Sequence, residues 1–130
     1  MFFIKINGTL YPATVSGKMT DKEWDNRESK AITLEMDYET AIALFVDGLA
    51  WSIVQQEEVP VFERDENGVY VLDENGKPIQ TGTEIREAEW DNSDYDIAGS
   101  ITDNRNGTIT VKMGKITDSE ALAELMEVLA

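Results

Sequence analysis

The segment Ser29 to Gln55, SKAITLEMDYETAIALFVDGLAWSIVQQ, limits the folds open to this chain more than any other, because it holds the longest apolar stretch and changes periodicity twice. In Ala31 to Met36, Ile32, Leu34 and Met36 alternate with Thr33 and Glu35, the two-residue period of a half-buried strand. Asp37 follows where a helix N-cap belongs, able to accept from backbone N–H groups that have no partner within the helix. Tyr38, Ala41, Ile42 and Phe45 recur at helical spacing, and Leu44 and Val46 widen that face, so a largely buried helix is expected. Gly48 suits the left-handed residue after a helix, and Leu49, Trp51 and Ile53 return to the strand period. The reading is strand, helix, strand.

Strand pairing is expected on both sides of this unit. Asn7-Gly8 tolerates positive φ at both central positions of a tight turn and predicts a hairpin over Phe2 to Thr14, with Ile6 opposite Thr9, Ile4 opposite Tyr11 and Phe2 opposite Ala13. Pro12 has no ladder donor, which suggests an edge strand or a bulge. Lys18 to Lys30 reads as a polar connection, with Trp24 anchoring it to the core. Glu-Trp-Asp-Asn occurs at Glu23 to Asn26 and again at Glu89 to Asn92, consistent either with a remnant of duplication or with polar turns that open strands.

Val59 to Ile79 carries the turn tetrapeptide Asp-Glu-Asn-Gly twice, at Asp65 to Gly68 and Asp73 to Gly76. It predicts a short meander or projecting β arm, with Phe62 opposite Val71 and Val61 opposite Leu72. Thr83 to Trp90 fits a strand slightly better than a helical turn. Tyr95 to Thr102 and Thr108 to Met113 predict a further hairpin, pairing Ile101 with Ile109, Gly99 with Val111 and Ile97 with Met113. A C-terminal helix starts at the capping-box pair Thr117 and Glu120 and carries the stripe Leu122, Leu125, Met126 and Leu129. The stripe is expected to pack on the sheet, with docking on another chain as the alternative. The fold class is therefore α+β, mainly antiparallel hairpins with two helices packed on one face, in a single domain over residues 1–130 with a β arm at 59–80.

Composition excludes several functions. The 130 residues contain no cysteine and no histidine, which removes disulfides, thiol nucleophiles, thiolate metal sites and the commonest general base. The net charge of −15 repels nucleic-acid phosphates and acidic membranes, so neither is expected as a partner. Between Glu57 and Asp96 thirteen acids face only Arg64, Lys77 and Arg86, a concentration that favours a partner with a basic face. No apolar run approaches a membrane span, and MFFIKING lacks the pattern of a signal peptide, so the chain is expected to be intracellular at synthesis.

The catalytic and metal motifs that the acidic residues suggest are incomplete. From Asp91, the positions where an EF-hand loop needs an oxygen ligand, a glycine and a bidentate glutamate hold Tyr95, Asp96 and Thr102. The Asp-Glu-Asn-Gly loops fail as well, because strand residues follow where further ligands are due. With 26 acids some carboxylate pair always satisfies the spacing of a glycosidase, so that signal has no specificity. There is no phosphate loop, nucleophile elbow or dinucleotide fingerprint. The expectation is a protein without enzymatic activity and without a cofactor or metal.

Three segments carry a resemblance: Glu23 to Thr33, Asp47 to Ile53 (DGLAWSI) and Asp91 to Gly99 (DNSDYDIAG). Together they resemble small uncharacterised proteins encoded in prophages of gut Firmicutes. The resemblance implies a phage context, in the virion-assembly or tail region, with the bacterial cytoplasm as the site of synthesis and the virion as a destination. It brings no catalytic residues. The partner implied is another phage protein or a second copy of the chain. The expected contact residues are Phe62, Asp65, Glu66, Asp73 and Glu74 on the arm and Trp90, Asp91, Asp94 and Asp96 beyond it. The alternative is an acidic inhibitor, acting as a DNA mimic on a host nucleic-acid-binding enzyme.

Overall fold

The computed structural model describes residues 1–129. Seven antiparallel strands form one sheet: β1 (Phe2–Ile6), β2 (Thr9–Asp21), β3 (Arg27–Glu35), β4 (Ser52–Phe62), β5 (Gln80–Asp91), β6 (Ile97–Asp103) and β7 (Thr108–Gly114). Helix α1 (Tyr38–Leu44) follows β3, and α2 (Asp118–Leu129) follows β7. Across the sheet the order is β5-β4-β1-β2-β3-β7-β6.

That order forces curvature. The outer strands β5 and β6 are consecutive in the chain, joined only by Asn92 to Asp96. In a flat sheet six interstrand spacings would part them by roughly 29 Å, whereas the six steps from Asp91 to Ile97 reach at most about 21 Å. The sheet therefore curls towards a barrel, and Trp51 holds the closure. Its indole N–H donates to the Tyr95 carbonyl at 2.9 Å, and its own carbonyl accepts from Asn92 N–H at 2.9 Å. Gly48 N–H donates to the Asp96 carbonyl, and the Asp47 carboxylate accepts from Ala98 N–H. Inside the curl lie Ile4, Ile6, Ala13, Ile32, Leu34, Trp51, Ile109, Val111 and Met113, with Ala41 and Phe45 from the α1 segment.

The Asn7-Gly8 hairpin forms in the expected register through Ile4–Tyr11, with positive φ at both turn residues. It stops at Phe3–Pro12. From Ala13 onward β2 pairs with β3 instead, so the expected Phe2–Ala13 pair is absent. Pro12 is thus neither on an edge strand nor at a bulge; it stands where β2 passes from one neighbour to the other. The presumed polar connection is mostly strand as well: β2 runs to Asp21, β3 begins at Arg27, and Asp25 and Asn26 turn the chain with positive φ. Ser16, Lys18 and Thr20 of β2 are exposed, and buried Asp21 ends the strand, along a ladder whose other side is β3.

Trp24 anchors that turn as expected. Its ring lies where a Cβ on Gly99 or Gly114 would fall, within 2.6 to 2.7 Å, and the Arg27 guanidinium stacks on it at 5.0 Å. The β6–β7 hairpin departs from its expected register at the loop end, pairing Ile101 with Val111 and Asp103 with Ile109; an irregular stretch between Ala98 and Ile101, where Gly99 sits, then brings Ala98 opposite Met113. The loop also closes on Asn104 and Thr108, tighter than the expected five residues.

Asp37 caps α1 through Thr40 N–H at 2.7 Å, and Gly48 adopts φ 86°. The helix is shorter and less buried than its apolar pattern suggests: Ala41 and the cap residue Phe45 are buried, while Tyr38, Ile42 and Val46 are exposed. One narrow face suffices to bring Ala41 and Phe45 into the core, with β6 as the main neighbour of α1. The expectation that α2 packs on the sheet is not met; α2 has no buried residue. Its first turn is held instead by Glu120, which accepts from both terminal nitrogens of the buried Arg27 at 2.6 and 2.9 Å. Glu120 also completes the capping box with Thr117.

Candidate functional site

The arm begins where β4 outruns its inner neighbour. Ser52 to Gln55 pair with β1 on one side and β5 on the other, and Gln56 still donates its N–H to the Met1 carbonyl. From Glu57 to Phe62 the partner is β5 alone, in a ribbon about 20 Å long. Thr83 to Trp90 is strand throughout, and all twelve residues of β5 are exposed.

At the tip, Glu63 to Ile79 folds into a miniature three-stranded unit. Val71 N–H donates to Glu63, Ile79 N–H to Val71 and Glu63 N–H to Ile79. The duplicated tetrapeptide makes one loop twice. Asp65 accepts from Asn67 and Val69 N–H at 2.9 and 3.0 Å, and Asp73 accepts from Asn75 and Lys77 N–H at 2.8 and 3.0 Å. Gly68 and Gly76 follow at φ 78° and 76°, a conformation that favours glycine. Because the first loop closes on Asp65 and Val69, Arg64 faces Tyr70, one residue out of the expected register of Phe62 with Val71. Phe62 and Tyr70 meet edge to face at 6.0 Å, and Arg64 stacks on the Tyr70 ring at 4.4 Å.

The residues expected to meet a partner form two groups. Phe62, Asp65, Glu66, Asp73 and Glu74 gather at the tip, whereas Trp90, Asp91, Asp94 and Asp96 lie at the base, a strand length of roughly 34 Å away. Their roles divide further. Asp65 and Asp73 are committed to their own loops, while Glu66 and Glu74 project into solvent. Asp91 accepts from Ser93 N–H and hydroxyl, and those hydrogen bonds hold its carboxyl below the usual carboxylate range. Asp96 contributes its backbone carbonyl to the closure of the sheet. Trp90 is 49% exposed. Among the described residues no three acidic groups converge on a metal position, and no helix is long and apolar enough to cross a membrane.

Three further apolar side chains of the arm, Val69, Leu72 and Ile85, lie outside the expected contact residues, and all are exposed. A two-stranded ribbon has no inner layer, so alternation along it does not imply burial. The other exposed apolar surface is α2, where Leu122, Leu125, Met126 and Leu129 are between 54% and 73% exposed.

A hydrogen-bonded polar cluster lies elsewhere, around the Trp24 turn. Buried Asp21 accepts from Lys112 Nζ at 2.9 Å, from the Ser29 hydroxyl and from Glu23 N–H. The Lys112 hydrogen bond is the main cause that lowers its pKa. Next to it the Tyr95 hydroxyl donates to Glu28, which with burial pushes the phenol up to about 12. Arg27 donates to the Lys115 carbonyl and to Glu120, and that pairing, with the cap to Thr117, brings the Glu120 carboxyl down to about 2. Apart from the buried Arg27 Nε, which has no hydrogen-bond partner, the charges here pair with one another, which suits a cluster that stiffens the turn and tethers α2.

No family model, curated protein or solved structure matches the chain.

Proposed function

We propose that this chain is a non-enzymatic, phage-related structural or accessory protein of tail or virion assembly that works through protein–protein contacts. The observation that carries the reading is the arm, a two-stranded ribbon with an ordered tip and no layer of its own fold against either face. Such a ribbon is marginal alone, yet it displays Val69, Tyr70, Leu72 and Ile85 to solvent. Apolar surface held out on an extended element is characteristic of a contact surface. The partner is a second copy or another phage protein, and the tip's Glu66 and Glu74 favour a face that carries basic groups. The DNA-mimic alternative is less well supported. Asp65, Asp73 and Asp91 are consumed by turns, and Glu87 and Glu89 are hydrogen-bonded to Gln56 and to Lys5 and Ser52.

Replacing Glu63–Ile79 by Asn-Gly tests the reading, since Phe62 already pairs with Gln80 and a two-residue turn fits between them. The expected result is a variant that folds like the intact chain, by circular dichroism and thermal midpoint, and loses assembly by light scattering. A variant that fails to fold, or that assembles unchanged, removes the arm as a separate contact element.

A further inference from the structure

We infer that two copies pair through the outer edge of β5, antiparallel and about a two-fold axis at Ile85, so that the arms of a dimer form one continuous sheet. The inference rests on the assembly reading; it names the partner as a second copy and the contact as backbone pairing. Backbone directions follow from the neighbours of β4. Gln56 donates its N–H to the Met1 carbonyl, away from β5, and Asn92 N–H donates to the Trp51 carbonyl, towards β4. These directions alternate along a strand. Glu84, Arg86, Ala88 and Trp90 therefore bond to β4, while Thr83, Ile85, Glu87 and Glu89 turn their N–H and C=O groups outward. Nothing among the described residues pairs with that edge, since β5 ends the strand order.

The other open edges are obstructed. On β6, Ala98 N–H is taken by the Asp47 carboxylate, and α1 is the neighbouring element. On the arm, Pro60 lies on the side of β4 that faces away from β5 and has no N–H to offer. β5 carries no proline from Gln80 to Asp91. A long, unbroken edge of this kind is a template for another strand.

Charge selects the register and the second copy as the strand that fits. With Ile85 opposite Ile85, Glu84 of each copy falls opposite Arg86 of the other, at non-hydrogen-bonded positions where side chains approach most closely. Within one copy Arg86 Nε already lies 3.3 Å from Glu84, so the four charges alternate around a square. Glu57 stands opposite Arg86 on β4, so each arginine lies between two acids. Glu87 meets Thr83 and Glu89 meets Thr81, so no acid of the strand faces another. Moving the axis by one residue places Glu84 opposite Glu84 or Arg86 opposite Arg86, and like charges directly opposite destabilise a pair. Ile85, 69% exposed in the single chain, is covered by its own copy. Thr83 to Glu87 exchange about six backbone hydrogen bonds. Gln80 comes opposite Trp90, so the tip of one copy, which begins at the Glu63–Ile79 pair, lies beside the base of the other. The net charge of −15 on each copy opposes association at long range, but at physiological ionic strength it is screened beyond about 8 Å, and the alternating charges lie within that distance.

Because the chain has no cysteine, single substitutions report the register. Ile85→Cys places two thiols on the axis with Cα atoms about 5.5 Å apart, inside the range of a disulfide. Glu87→Cys places its pair about 14 Å apart along the strands, outside that range. Under oxidised glutathione the first variant should give at least fivefold more linked dimer than the second. In light scattering at physiological salt, Arg86→Glu, at an exposed site, should stay folded and weaken self-association at least tenfold. Glu84→Arg combined with Arg86→Glu restores the alternation in reverse and should return association to within threefold of the intact chain. Cross-linking of Ile85→Cys no greater than that of Glu87→Cys overturns the inference, as does unchanged association of Arg86→Glu, a double variant no better than the single one, or an intact chain that stays monomeric. Assembly that is lost on replacing Glu63–Ile79 but indifferent to Arg86→Glu overturns this inference alone and leaves the arm reading in place.

Discussion

Replacing Trp51 by phenylalanine tests whether one side chain closes the curled sheet. Trp51 is 2% exposed, and its N–H satisfies the Tyr95 carbonyl in the five-residue link between the outer strands. Phenylalanine keeps most of the apolar contact, removes the donor and leaves a small void. The stranded carbonyl costs about 1–2 kcal/mol, since Tyr95 is half-buried rather than sealed, and the void adds about 1–2 kcal/mol. A total near 3 kcal/mol, divided by an unfolding entropy of roughly 0.27 kcal/mol per kelvin for a chain of this length, lowers the thermal midpoint by about 11 °C. Trp90→Phe is the matched control; the residue is 49% exposed, and a change within about 0.5 kcal/mol is expected. Thermal unfolding followed by circular dichroism measures both, and hydrogen exchange at Asn92 and Ala98 should quicken in Trp51→Phe alone. A shift below about 2 °C for Trp51→Phe, or equal shifts for the two variants, would refute the closure argument.

Two other predictions concern the tether of α2. Gly114→Ala places a Cβ 2.4 Å from Arg27 Cδ and 2.7 Å from the Trp24 ring, so it should cost about 1–3 kcal/mol by denaturant titration. Gly82→Ala, with open space around it, should be close to neutral. The second prediction follows from the Glu120 carboxyl, which the Arg27 pairing lowers to about 2 from 4.5. Because the folded pKa lies below the unfolded one, the contribution of Glu120 is complete above about pH 4.5 and is lost as pH falls through about 2. NMR shifts of Thr117 N–H and of the Arg27 guanidinium should follow that transition, and Glu120→Gln should abolish it.

Local chemistry was the legible part of this chain. Asn7-Gly8, the Asp37 cap and the Thr117–Glu120 capping box each act within a few residues, and each appears where expected. The seven-stranded antiparallel sheet with two helices agrees with the expected class at that level. Features that depend on long-range partners were not legible. The reach of β2 to Asp21 depends on the β3 ladder, and the pairing of Ala98 with Met113 depends on an irregularity packed against Trp24, some 75 residues away in sequence. Apolar spacing in α2 encodes an amphipathic helix but not what it faces; Arg27, the residue that tethers it, reads in sequence as one more charge in a polar run. The acids of the arm show the same limit, because the sequence does not distinguish Asp65, bound into its loop, from Glu66, which is free.

Light scattering coupled to size-exclusion chromatography, over a range of concentrations at low and physiological salt, tests the assembly account most directly. The account predicts a discrete species at a whole-number multiple of the 14.6 kDa chain. A 14.6 kDa species at every concentration and at both salts would contradict self-assembly and leave a second phage protein as the partner the account requires.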